Sequence, residues 1–268
     1  MPLLIEIHDE GDLRIEPYRD IRERDLVGRA GLFVAEGKVV VEKLIGSTLF
    51  RPRSLLIAAK RVAALGTLLA RLPDDVPVFV ADQKVLDAIA GFAMHRGILA
   101  IGARSEITDA DTLLARLNED DDILLLSGIA NHDNIGGIFR NAAAFGVAAV
   151  LLDTDCCDPL YRKAIRVSVG ATLLVPSARL GHGEDALALL DRHAFAPVSL
   201  SPAGTTLLGD WRPARRNAML LGAEGPGLSR ELIGRTHSLR IAMAADFDSL
   251  NVATTSGIVL HHLTTTKA

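Results

Sequence analysis

Apolar positions along the chain change character near residue 106. Before it, short apolar runs interleave with helical spacing, which predicts a helix over 39–45, a strand over 54–58, a helix over 62–70, a strand over 76–80, a helix over 84–89 and a strand over 97–101. After it, strands over 123–126, 147–152, 173–175, 195–200, 218–221 and 239–241 alternate with helices over 135–145, 160–167, 184–192 and 251–262. The strands of the second series are apolar throughout, the pattern of a parallel sheet covered on both faces. Ligands of such sheets bind beyond the carboxyl ends of the strands.

Between the two series, Glu106–Asp122 holds seven acidic residues and reads as a boundary with a short helix. The expected organisation is therefore a smaller α/β domain over 1–105, an acidic linker over 106–120 and a second α/β domain over 121–268. At 268 residues, 49% hydrophobic, 23% charged and 4% aromatic, the chain can bury a large core, which excludes disorder, collagen and a disulfide scaffold. Its two cysteines, Cys156 and Cys157, are adjacent, so neither a disulfide framework nor a spaced metal motif is available, and burial is expected.

A net charge of −4 hides an asymmetry. Leu13–Val62 carries eleven Lys/Arg against six Asp/Glu, whereas Glu106–Ala268 carries fourteen against nineteen. A solvated surface produces such a bias as readily as a nucleic-acid partner does. If the partner is a nucleic acid, Arg51, Arg53, Lys60 and Arg61 are the candidate phosphate contacts. The N-terminal MPLLIEIHDE is acidic and lacks a long apolar stretch, and the uncharged run Ser249–Thr266 is studded with Ser, Asn, Thr and His. A cytoplasmic protein with no membrane contact is expected.

Three loops carry candidate chemistry. Leu220–Gly227, containing GAEGPG, follows a predicted strand, and its glycines let backbone approach a ligand. It lacks both a Walker lysine and the G-x-G-x-x-G spacing, which weakens ATP and NAD readings. Asn131–Ala142 follows the first strand of the second series: Asn134 is placed to cap a helix on which Arg140 is the lone charge among apolar neighbours. Ile241–Val252 runs from a strand into a helix, and capping accounts for one of Ser249 and Asn251 but hardly both. His261 and His262 read as helix-closing residues rather than ligands, His132 as a solvated loop residue or a substrate contact, and Trp211 as buried, with stacking on a base the alternative; no metal is expected.

Together these segments resemble the SpoU (TrmH) family of RNA ribose 2′-O-methyltransferases in the SPOUT superfamily. Asn134, Gly136, Arg140 and Ala142 fit its first motif, Gly222, Glu224 and Gly225 the second, and Ser249-Leu250-Asn251-Val252 the third. Arg166-Val167-Ser168-Val169-Gly170-Ala171 is similar to its intervening R-x-S-x-G-A stretch. Ala242 stands where the family usually has Pro, and Ala253 where it often has Ser. The stretch from Phe33-Val34-Ala35-Glu36-Gly37 to His95-Arg96-Gly97-Ile98 is similar to the substrate-binding domain that many members carry.

The resemblance implies a doubly wound parallel sheet with a trefoil knot, preceded by a smaller α/β RNA-binding domain, and a homodimer. It implies S-adenosylmethionine as cofactor, held around Leu200, Ser201, Leu221, Gly222, Ala223, Gly225, Ile241, Met243 and Leu250. Asn134, Arg140, Glu224, Ser249 and Asn251 become the candidate catalytic set, acting on the ribose of rRNA or tRNA. A base methyltransferase of the same superfamily and a catalytically silent RNA-binding or assembly factor are the alternatives.

Overall fold

The computed structural model describes residues 3–19, 31–91, 94, 96–104, 109–245 and 249–267. His95, the Glu106–Ile107 start of the acidic boundary, and Asp246-Phe247-Asp248 of the third loop lie outside them. The chain divides into two compact units: residues 1–107 with 160–174, and residues 108–159 with 175–268.

In the first unit, β1 (Leu4–Ile7), β2 (Leu32–Glu36), α1 (Lys38–Gly46), β3 (Phe50–Ala58), α2 (Gly66–Leu69), β4 (Val78–Ala81), α3 (Gln83–Ala90) and β5 (Ile98–Arg104) follow one another. The described strands form a sheet in the order β1-β4-β3-β5-β2, parallel across β1, β4 and β3, with β5 antiparallel to both β3 and β2. The helix expected over 62–70 is helical over 63–69, a 3-10 turn over Ala63–Leu65 running into the single α-helical turn of α2. With Gly66 inside it and Pro73 close behind, the run is too short for a costly helical nucleus to propagate.

The second unit contains α4 (Ala110–Ala115), β6 (Ile123–Ser127), α5 (His132–Ala144) and β7 (Ala149–Leu152). The next helix, α6 (Arg162–Val167), belongs to the first unit. Then come β8 (Ser177–Arg179), α7 (Ala186–Arg192), β9 (Ala196–Leu200), β10 (Thr206–Leu207), β11 (Asn217–Gly222), α8 (Arg230–Gly234), β12 (His237–Arg240) and α9 (Val252–Lys267). These strands form a wholly parallel sheet in the order β10-β12-β9-β11-β6-β7-β8.

Alternation along the strands sets the faces. Ile123, Leu125, Leu151 and Leu220 pack with Leu113 and Leu114 of α4 and Leu187 and Leu190 of α7. On the opposite side α9 packs on β11 and on α5. Asp109, Asn131, Asp185 and Ser229 cap α4, α5, α7 and α8 by accepting backbone N–H bonds. The described part of the acidic 106–120 stretch is therefore not a bare spacer, because α4 buries Ala110, Leu113 and Leu114 in this core.

The strand expected over 173–175 is absent. Gly170, at φ +76°, turns the chain after α6, Leu173 enters the first unit's core, and the strand begins only beyond Pro176, as β8. Apolar content alone drew Leu173 and Leu174 into the prediction; Leu174 is 45% exposed. Within the described residues no helix is long and apolar enough to cross a membrane.

Candidate active site

Beyond the carboxyl ends of β9, β11 and β12, three turns enclose a cleft of about 430 Å³. That volume suits a small organic ligand. Leu200 and Ser201 line it from the turn after β9, Leu221, Gly222, Ala223, Glu224 and Gly225 from the turn after β11, and Ile241, Met243, Ser249, Leu250 and Asn251 from the segment that leads into α9. Thr255, not singled out by the sequence, completes the wall one turn after Asn251, and helical spacing from the third motif was the signal for it.

The second turn needs its glycines. A Cβ on Gly222 would lie 2.3 Å from the Leu228 nitrogen, so no other residue fits while the chain doubles back. Gly227 N–H donates to Ala223 O at 3.0 Å and closes the loop, while Gly225 and Gly227 sit at φ +87° and +66°.

Asn251 joins the three motifs. Its Oδ1 accepts from the backbone of Ala253 (2.9 Å) and Thr254 (3.2 Å), capping α9. That orients the amide, and Nδ2 donates both hydrogens elsewhere, to Asn134 Oδ1 and to Glu224 Oε1, each at 2.9 Å. Asn134 is buried in the first turn of α5, whose cap is Asn131 rather than Asn134 as the sequence suggested. Arg140 is exposed, stands six residues further along α5, roughly 9 Å of rise, and does not line the cleft.

A second bracket, missed in the sequence, holds the β6–α5 loop. The Asp153 carboxylate accepts from Gly128 N (2.9 Å), Asp155 N and Cys156 N. Cys156 Sγ donates to Leu126 O and accepts from Ile129 N, both at 3.3 Å, and Cys157 N–H donates to Ile129 O. Burial pushes the Asp153 carboxyl up, but bonds from Gly128, Ser127, Cys156 and Asp155 outweigh it and hold the group below the usual carboxylate range. Burial lifts the Cys156 thiol to about 12 and the Cys157 thiol to about 11, so both are structural rather than nucleophilic.

Glu224 is the one acidic side chain among the described residues lining the cleft, and no Lys or Arg is among them. Elsewhere, Trp211 is buried and stacks on His262, with ring centroids 6.1 Å apart. The four candidate phosphate contacts are exposed in the first unit but not together: Arg51 and Arg53 lie near the start of β3, Lys60 and Arg61 just beyond its end, and Arg51 pairs with Asp75.

A model of the SpoU rRNA Methylase family matches residues 122–261, the stretch that builds this cleft and the Asn251 junction. The chain belongs to that family. As a SpoU methylase it is an RNA methyltransferase. It is 35% identical to an uncharacterized tRNA/rRNA methyltransferase of Mycobacterium tuberculosis, over 97% of this chain and 91% of that one. The 23S rRNA (guanosine-2′-O-)-methyltransferase RlmB of Escherichia coli is 30% identical over 69% of this SpoU methylase and 77% of its own length. An AdoMet-bound rRNA methyltransferase from Sinorhizobium meliloti shares the fold, with a TM-score of 0.81 over 97% of both chains at 22% identity.

Proposed function

We propose that this SpoU methylase transfers a methyl group from S-adenosylmethionine to a ribose 2′-hydroxyl of structured ribosomal or transfer RNA. The observation that carries the reading is the charge of the cleft: among its described residues, apolar walls, one carboxyl group, and no Lys or Arg. Nucleoside triphosphates and dinucleotides need cationic or tightly wound backbone partners for their phosphates. A nucleoside carrying a sulfonium needs apolar walls for its base, backbone within reach, and a nearby negative charge. Leu200, Leu221, Ile241 and Leu250 supply the walls, the glycine turn the backbone, and Glu224 the charge.

When bound, S-adenosylmethionine supplies a methyl carbon already activated for displacement by its positive sulfur. What remains for the protein is placement of the attacking oxygen in line, a matter of orientation worth several kcal/mol. Asn134, held by Asn251, keeps the start of α5 in register with the cleft turn. Ser249 lines the cleft and orients the ribose. Arg140 holds a backbone phosphate or the hydroxyl; a guanidinium stays protonated at neutral pH, so the proton of the hydroxyl goes to a phosphate oxygen or water instead. Arg140 does not line the cleft of its own chain, which supports a homodimer in which a second copy completes the site.

The C-terminal segment forms a trefoil knot in this reading. Supporting it, β10 lies outside β12 in the sheet although it precedes it in the chain. The loop joining β9 to β10 crosses β12 so closely that a Cβ on Gly204 would sit 2.4 Å from the Leu239 backbone. The test is mass analysis of nuclease-digested RNA after incubation with protein and labelled S-adenosylmethionine. Methyl on the sugar is expected; methyl on a base selects the base-methylating alternative, and no cofactor binding selects the silent one.

A further inference from the structure

The first unit's sheet carries cations at both ends, and the two groups differ in their partners. At one end lie the carboxyl ends of β2 and β3 and the start of β5. There Arg61 Cγ lies 3.3 Å from where a Cβ on Gly97 would stand, and Arg96 Cδ 3.0 Å from the corresponding position on Gly37. Gly37 N–H donates to Ile98 O and Ala58 N–H to Gly97 O, so these side chains share one rim. Lys38 follows Gly37 and Lys60 precedes Arg61, and all four cations are exposed. The side chains of Lys38, Lys60, Arg61 and Arg96 have no ion pair or hydrogen bond among the described residues.

The R-x-S-x-G-A stretch starts near this rim and runs away from it along α1, with Gly170 against Val40 and Lys43 and the Leu173 O accepting from Ser47 Oγ beyond the far end of α1. Arg162 of α6 pairs with Glu36 at 2.7 Å, the two side chains only 17% and 9% exposed, which seats α6 at the carboxyl end of β2. Arg166 lies one helical turn on, roughly 6 Å of rise. Among the described residues, Glu36 at this end is engaged by Arg162, while Asp9 and Glu10 follow β1 and Asp82 follows β4, the strand next to β3. At the opposite end Arg51 is engaged by Asp75, with exposed Asp74 beside it in sequence, and Arg104 lies over the Phe50 ring, while Arg53 and Arg71 are exposed.

Resting on the methyltransferase reading above, we propose that the Lys38, Lys60, Arg61 and Arg96 rim is the surface on which the first unit holds substrate RNA, through its phosphates. Arg51 and Arg53 are not part of it. Several unpartnered cations on a short arc match a phosphate backbone, whereas an arginine already paired gives up its partner before it binds.

Binding of full-length protein to deproteinised 23S rRNA, measured across a salt series, tests this. R61E/R96E is expected to lower affinity at least tenfold near 0.1 M salt and to flatten the log–log salt slope by about two units. K38E/K60E is expected to act in the same direction, and R51E/R53E to change affinity less than twofold. Equal losses from both ends, a loss confined to R51E/R53E, or no loss from either rim pair overturns the proposal. Circular dichroism melts exclude unfolding of each variant. Calorimetry with S-adenosylmethionine on the wild type fails separately if the methyltransferase reading is wrong, since the rim takes no part in the cleft.

Discussion

Asn251 Nδ2 donates to Asn134 Oδ1 at 2.9 Å, across 117 residues of sequence, while the same side chain caps the helix that follows it. Capping and bridging use opposite ends of one amide, so they can be separated. Asn251→Asp keeps an acceptor for the Ala253 and Thr254 N–H groups but removes both donated hydrogens and sets a carboxylate against Glu224. Stability is expected to stay within about 0.5 kcal/mol of wild type, against a loss of about 1 kcal/mol for Asn251→Ala. Methyl transfer should fall at least tenfold in both, read by urea unfolding alongside a labelled-methyl assay.

Arg140 is predicted to serve the acceptor and not the donor. Arg140→Ala should lower kcat by roughly a hundredfold or more, the scale of losing one charged contact to the reacting group. S-adenosylmethionine affinity should remain near wild type, because Arg140 lies outside the cleft wall. Arg140→Lys should recover little, since a point charge does not replace a planar fork. Equal losses of binding and turnover would assign Arg140 to the cofactor instead.

Glu224 gives a prediction specific to charge. As the one acidic group on the described cleft wall, its carboxylate should favour a sulfonium over the neutral thioether left after transfer. Glu224→Gln should weaken S-adenosylmethionine by about 1 kcal/mol, roughly fivefold, relative to S-adenosylhomocysteine. Calorimetric titration of both ligands into both proteins measures the difference directly.

The second unit's sheet was legible because its strands are apolar on both faces, and the cleft because its three turns hold residue types that each need explaining. Less visible were elements fixed by partners distant in sequence. Strands β8 and β10 span three and two residues and exist by pairing with β7 and β12. Leu173 looked like strand because its burial was legible but its destination, the first unit's core, was not. Asp153 looked like any loop carboxylate, since nothing in the sequence announces the Gly128 N–H it accepts. Arg51 and Lys60 carry the same charge in the sequence, and only the sheet separates their ends.

Gly137 is half-buried against α9, where a Cβ would come 2.7 Å from the Ala253 Cβ. Helix propensity alone makes Gly→Ala favourable by up to about 1 kcal/mol. Here the added methyl forces α5 and α9 apart, also straining the bonds from Asn141 Nδ2 to Ala253 O and Ser256 Oγ. Gly137→Ala is therefore expected to destabilise by about 1–2 kcal/mol, the scale of overpacking. Gly234→Ala, with nothing within 4 Å, should be neutral or slightly stabilising in the same urea titration.

Asp153 links stability to pH. Its carboxyl is held below the usual range in the folded chain, burial opposing and hydrogen bonds from Gly128, Ser127, Cys156 and Asp155 prevailing. A group with a depressed folded pKa stabilises above its unfolded value, about 3.9, and loses that contribution as pH falls through the folded one. Between pH 8 and 5 the stability gap between wild type and Asp153→Asn should stay constant, and below about pH 4 it should narrow. Because the bracket also fixes the loop leading to Asn134, Asp153→Asn should reduce kcat at neutral pH while leaving S-adenosylmethionine affinity within about twofold. Urea titrations at pH 7, 5 and 3.5 with matched turnover assays measure both effects; a gap that widens on acidification would mean that Asp153 is held in its protonated form.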